Sequence, residues 1–453
     1  MKRYLIYILL ALSAVTACQK EYPDMLYRPA YSFDEDGDAG RVSVHETRNV
    51  LLLYSAGFNN INRYLKEDIQ DLWDGWLPGE GRKDDILLIY SHTVREGYST
   101  PNPPVLYRLY RDVDNKIVSD TLAVYDENTH SATAGQLNTV LTFVNENFPA
   151  RSYGMIFSSH ATGYLPAGYY TSPSDSSYDW GLFYRFGQRD SSPKPVPYVE
   201  ILRDPDMPAV KSIGQDLVMI DGSRVSYEME LADFAAAIPM HMSYILFDAC
   251  LMGGVEVAYE LKDKCDVVGF SPTEVLAEGY NYRTLTLNLL DEEPDLKGVC
   301  VDYYKQYLEK TGDNQSATIS LVDCTRLEGL AELCGKLFDK YREGLRIVSP
   351  SEVQRYYTFS YHWFYDLESI ITEAGKAGDY AQDELDADLE ALRAQLDEVI
   401  IYKAATPAFL PGYGGFRIDT YSGLSMYLPC DGGPNLDSYY RTLAWNIRTG
   451  LVE

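Results

Sequence analysis

Five short apolar runs constrain this chain more than any other feature: Val50–Tyr54, Ile86–Tyr90, Gly154–Phe157, Tyr244–Phe247 and Val267–Phe270. Runs that are apolar throughout, rather than alternating, belong to strands covered on both faces, and such coverage implies crossover helices and parallel pairing. Helical spacing supplies the covers. Ile61, Leu65, Ile69, Leu72 and Trp73 mark one helix closed by Gly75, and Leu137, Val140, Leu141 and Val144 mark another that ends before Pro149. Val105–Tyr125 reads as a hairpin turning at Asp114 and Asn115, and Ala317–Val322 reads as a sixth strand. Leu327, Leu330, Cys334, Leu337 and Phe338 share a helical face, which makes Cys334 a packing residue. The expected class is α/β, a mostly parallel sheet flanked by helices.

The N-terminus has a different origin. Lys2 and Arg3 precede an apolar stretch from Tyr4 to Val15 that ends at Val15-Thr16-Ala17-Cys18, a secretory signal with a lipoprotein cleavage box. Residues 1–17 are therefore expected to be removed, Cys18 to carry lipid, and the polar residues 18–46 to form a flexible tether. Asp34, Asp36 and Asp38 suit a calcium loop poorly, because Ala39 and His45 stand where such a loop needs glycine and glutamate. The expected location is the cell envelope, as a membrane-anchored lipoprotein on the outer membrane, in the periplasm or on the surface.

With 39 basic residues against 67 acidic ones the formal charge is −28, which excludes a basic footprint for nucleic acid and leaves the lipid anchor as the contact with membrane. A positively charged substrate fits that balance. Seven cysteines without a close pair exclude a disulfide-dense scaffold, and six scattered histidines show no metal-ligand spacing.

The chemistry concentrates at two strand ends. Tyr244–Phe247 stops at Asp248-Ala249-Cys250 and passes into a helical pattern expected over 251–262, whose unpaired first-turn N–H groups and macrodipole would favour a Cys250 thiolate. Gly154–Phe157 stops at Ser158-Ser159-His160-Ala161-Thr162-Gly163-Tyr164. If the two strands are neighbours, thiol and imidazole face one cleft at the sheet's C-terminal edge, where open α/β sheets build their sites. The backbone N–H groups of Cys250 and Ala161 are then candidate oxyanion donors, and acyl transfer is the reaction class.

These segments carry a resemblance. Phe247-Asp248-Ala249-Cys250-Leu251-Met252-Gly253 resembles the nucleophile segment of the clostripain family of cysteine peptidases, in the caspase-like clan, and Ser159–Tyr164 resembles its histidine segment. Val50–Asn59, Phe148–Ala150, Ser271–Tyr282 and Gly423–Pro429 resemble its first strand and turn, the approach to the histidine, the loop after the nucleophile and a late strand. The resemblance implies a caspase-like sheet, a Cys250/His160 dyad and cleavage after Arg or Lys in protein or peptide substrates. It places Asp248 at the basic-residue pocket, unless Asp248 only caps the next helix, and sets Glu274 and Glu278 in the bordering loop. No cofactor is certain, although calcium serves some relatives.

Ala161 replaces a glycine usual in the family, and alanine is strained if that position needs positive φ. A catalytically inactive caspase-like surface protein binding peptides or glycans is accordingly the second reading. Maturation in relatives cuts between the two segments, where an insert at about 165–224 offers Arg185, Arg189, Lys194, Arg203 and Lys211. The expected organisation is a catalytic domain over 47–343 and a small C-terminal subdomain over 344–453.

Overall fold

The computed structural model describes residues 48–82, 84–95, 100–169, 196–197, 213–291, 293–357 and 363–453. Cys18, the leader, the tether and the five basic residues of the insert lie outside the described residues. All described residues fall in one unit, Val44–Glu453.

A nine-stranded sheet organises it. Its strands are β1 (Asn49–Ala56), β2 (Asp85–His92), β3 (Val105–Arg111), β4 (Ile117–Val124), β5 (Ser152–Ser158), β9 (Met242–Asp248), β10 (Cys265–Phe270), β11 (Thr318–Asp323) and β13 (Ile400–Ala405). The short β6 (Val196–Pro197) joins β7 (Ile213–Ile220) and β8 (Ser223–Met229) in a separate sheet, and β12 (Tyr365–Asp366) pairs outside the main sheet with Ser425–Met426. The order is β13-β11-β10-β9-β5-β1-β2-β3-β4. Its five central strands run parallel, and antiparallel pairs extend both flanks.

Residues of β1 are buried along its whole length, as a strand covered on both faces requires. Phe157 of β5 packs between Tyr54, Phe234 and Phe247 at ring separations of 5.7, 5.2 and 6.1 Å, tying three strands and one helix into a single core. Full burial of such a ring stabilises the fold by about 1.5–3 kcal/mol.

Helix α1 (Asn62–Asp74) follows β1, α2 (Ala134–Asn147) precedes β5, α3 (Leu231–Ala237) precedes β9, α4 (Val255–Leu261) follows it, and α5 (Tyr282–Leu289) follows β10. The late strand expected at Gly423–Pro429 lies outside the main sheet, and Ile400–Ala405 supplies the sheet's edge, antiparallel to β11. The last part of the insert expected over about 165–224 is ordered as β7 and β8, a hairpin around Asp221 (φ 49°) and Gly222 (φ 80°). Asp-Gly with both residues left-handed is the turn whose twist matches paired strands.

Glu256 of α4 is 1% exposed, and its Oε1 accepts from the Tyr427 N–H (2.9 Å) and the Tyr440 hydroxyl (2.7 Å). Burial pushes this carboxyl from 4.5 up to about 7. A pKa raised by folding gives stability that is full at acidic pH and lost as pH rises through the folded value. Glu256→Gln is therefore expected to stabilise the protein at pH 8 by up to about 3 kcal/mol and to change little at pH 4.5. Urea denaturation at the two pH values measures it; equal effects at both would refute the ionisation argument.

Candidate active site

Strand pairing sets the site. In the parallel pair β5–β9, Phe157 lies beside Phe247 and Ser158 beside Asp248, so His160 and Cys250 each stand two residues beyond a matched pair. β1 lies on the far side of β5 with Ser55 beside Ser158, which brings the turn after β1 to the same edge.

That turn holds the imidazole. Asn59 Nδ2 donates to the Ala56 carbonyl (2.9 Å) and the Gln215 carbonyl (3.0 Å), and Ser159 Oγ donates to Ala56 O (2.8 Å) while accepting from Gln215 N–H (3.2 Å). Gly214 N–H donates to the His160 carbonyl at 2.9 Å, so β7 clamps the histidine loop from above. His160 is fully buried, and its Nε2 lies 2.7 Å from Asn60 Oδ1. An amide oxygen only accepts, so Nε2–H is the donor in this contact.

Cys250 is placed differently from the sequence expectation. The helix begins at Val255, not Leu251, because Leu251 N–H donates to Thr273 O (2.9 Å) and Gly253 N–H to Ser271 O (2.8 Å). These bonds hold residues 251–253 in a non-helical turn against the loop after β10, and Leu251 takes φ 60°. A leucine in that region is strained, and strain of this kind persists where surrounding structure enforces it. The helix macrodipole therefore does not act on Cys250. Its sulfur instead accepts from the Val275 N–H at 3.3 Å and lies 3.7 Å from the Val275 carbonyl, an acceptor for the neutral thiol.

Asp248 is 9% exposed and accepts from the Tyr282 hydroxyl at 2.7 Å. Burial pushes its carboxyl up to about 6, with the Tyr282 hydroxyl and the Tyr280 N–H pulling the other way. Gly279 (φ 54°) passes so close that a Cβ there would sit 2.3 Å from Asp248 Oδ2. Only glycine fits both that angle and that approach.

His160, Asp248 and Cys250 line one cleft with Ser158, Ser159, Ala249 and Val275–Ala277, closed on the α1 side by Ile61, Tyr64, Leu65 and Asp68. Its volume is about 30 Å³, room for a water or two and not for an arginine side chain. A wider depression of about 830 Å³ between Trp76, Arg82, Arg111 and Asp291 contains none of these residues. Ala161 follows His160, is fully buried and avoids the left-handed region, which falls at Gly163 (φ 58°) instead. Glu274 is buried and Glu278 pairs with Lys310 at the surface; neither lines the cleft. Among the described residues no three His, Cys, Asp or Glu side chains gather to hold a metal ion, and no helix is long and apolar enough to cross a membrane. Sequence reading missed Asn60 and Asp68; Asn60 had only its place beside Asn59 to mark it, whereas Asp68 interrupts an apolar helical face.

A buried thiol and imidazole beyond adjacent parallel strands define a caspase-like cysteine hydrolase site. The family model for the clostripain family matches residues 53–181 and 202–447. The chain belongs to the clostripain family of cysteine proteases. It is similar to an inactive zymogen C11 protease from Parabacteroides distasonis, at 26% identity and TM-score 0.67 over 90% of this chain and 99% of that one. It is also similar in fold to a secreted C11 cysteine protease from Bacteroides thetaiotaomicron, solved alone and with an irreversible peptide inhibitor. Identity there is 22% and the TM-score 0.66, over 89% of this chain and 99% or 98% of the others. No curated protein sequence matches.

Proposed function

We propose that this protease is an endopeptidase that cleaves after Arg or Lys with Cys250 as nucleophile and His160 as its proton partner. Cys250 Sγ adds to the scissile carbonyl, the carbon–nitrogen bond breaks as His160 gives a proton to the leaving amine, and water then releases the acyl group. The N–H groups of Cys250 and Ala161 serve the oxyanion. Asp248 pairs with the substrate cation, a carboxylate being suited to a guanidinium fork. The observation that carries this reading is the β5–β9 register, which sets thiol, imidazole and buried carboxylate in one cleft. Ala161 outside the left-handed region keeps its N–H free of the strain that motivated the inactive reading, which supports an active enzyme.

The narrowness of the cleft favours a precursor that opens when the chain is cut in the insert, at Arg185, Arg189, Lys194, Arg203 or Lys211. Glu274 and Glu278 act at most on the rim of the site. Lipid on Cys18 tethers the body to a membrane of the cell envelope.

The test is direct: the purified chain, before and after limited trypsin cleavage, is assayed with arginyl, lysyl and leucyl fluorogenic peptides. Turnover of the first two and not the third is expected, rising after cleavage. Equal turnover of all three, or none, would overturn the assignment. Asn60→Ala is expected to lower kcat by about 10²-fold with KM little changed, because it frees the imidazole to misalign. An unchanged kcat would exclude Asn60 from positioning His160.

A further inference from the structure

We infer that Asp68 of α1 is a second carboxylate of the specificity cleft, so that the substrate's cationic side chain is held between Asp68 and Asp248; this rests on the basic-residue preference proposed above. Ile61, Tyr64, Leu65 and Asp68 occupy positions i, i+3, i+4 and i+7 and share the cleft-facing side of the turn and helix after β1. Three of them are apolar or aromatic, as a packed face requires. The fourth is a carboxylate that is 8% exposed and makes no hydrogen bond or ion pair among the described residues.

A buried carboxylate without a partner costs stability, and chains keep one where something else supplies the partner. Nothing among the described residues does so here. The acidic groups around it are Asp248 across the cleft and Glu67 and Asp71 on its own helix, all of which, with burial, push the Asp68 carboxyl well up. Tyr64 on the same helix, Tyr282 from α5, Tyr307 from the helix Leu296–Leu308, and His160 and Cys250 from the strand ends are further titratable neighbours of the cleft. The nearby cation Arg283 is bound to Asp71 and Asp74. Two like charges in one desolvated cleft do not both ionise readily, so the empty site holds a proton that an incoming cation displaces. A guanidinium, with five donors in a plane, can serve two carboxylates at once.

Asp68→Asn and Asp68→Leu test this in the full-length protein after limited trypsin cleavage, alongside wild type treated the same way, with arginyl and lysyl peptides. A second readout is protection of Cys250 from iodoacetamide by agmatine, a small guanidinium that lacks a scissile bond. Both variants are expected to fold, since each removes a buried charge and leucine completes the apolar face. KM for the arginyl peptide is expected to rise about tenfold or more with kcat within about threefold, and agmatine protection to need about tenfold more ligand. Asp68→Glu should recover part of both. If wild type cleaves basic peptides and the Asp68 variants keep its KM and its agmatine protection, Asp68 is not in the subsite and the inference fails alone. If wild type cleaves neither basic peptide, the preference itself fails and the inference with it. A variant that melts well below wild type would show that Asp68 supports the fold instead, and that too would overturn the proposal.

Discussion

Cys250→Ala is expected to lower kcat/KM on an arginyl peptide by about 10⁴-fold or more, and His160→Ala to come close to the same loss, with the double variant no worse than either. The sulfur forms the new bond and the imidazole moves the proton that lets the old one break, so neither step survives alone. The fold should not suffer. Cys250 Sγ accepts from the Val275 N–H and lies near the Val275 carbonyl, and the turn around it is fixed by Leu251 and Gly253 through their backbone. Thermal melts within a few degrees of wild type are the control. The same variant answers the maturation question, because a Cys250→Ala chain that stays in one piece while wild type is cut would assign the cut to the protein itself. Turnover by Cys250→Ala equal to that of wild type would leave the site without its nucleophile.

What could be read from the sequence followed from periodicity and from position along the chain. The apolar runs become the parallel centre of the sheet because strands covered on both faces need no alternation, and the two chemical residues are legible because each ends such a run. Whether those strands touch is a matter of sheet order, which no local pattern contains. The helix expected from Leu251 illustrates a different limit. Its spacing is helical, yet the backbone N–H groups of Leu251 and Gly253 find partners in a loop twenty residues downstream, and tertiary bonding outweighs propensity. Asn59 and Asn60 were illegible for the same reason, since their partners lie in β7 and in the loop after β5. Asp221-Gly222 was legible and was hidden only by the irregular composition before it.

Asp248→Asn should separate two properties that the wild-type carboxyl sets in opposition. A carboxyl held near 6 by burial is protonated below that pH and ionised above it. Binding a guanidinium requires the ionised form, so kcat/KM on arginyl and lysyl peptides is expected to climb as pH rises through about 6, and Asp248→Asn to lose about 10²–10³-fold at pH 8 together with that limb of the profile. Stability runs the other way. A folded-state pKa raised above the unfolded one gives stability that is full at acidic pH and is lost as pH rises through about 6, so the asparagine variant should outlast wild type in urea at pH 8 and match it near pH 4. The Tyr282 hydroxyl and Tyr280 N–H can still donate to an amide oxygen, so the substitution removes charge without emptying the site. A variant that loses activity and stability together at pH 8 would make Asp248 a structural cap; one that loses activity while gaining stability identifies it as the group that binds the substrate cation.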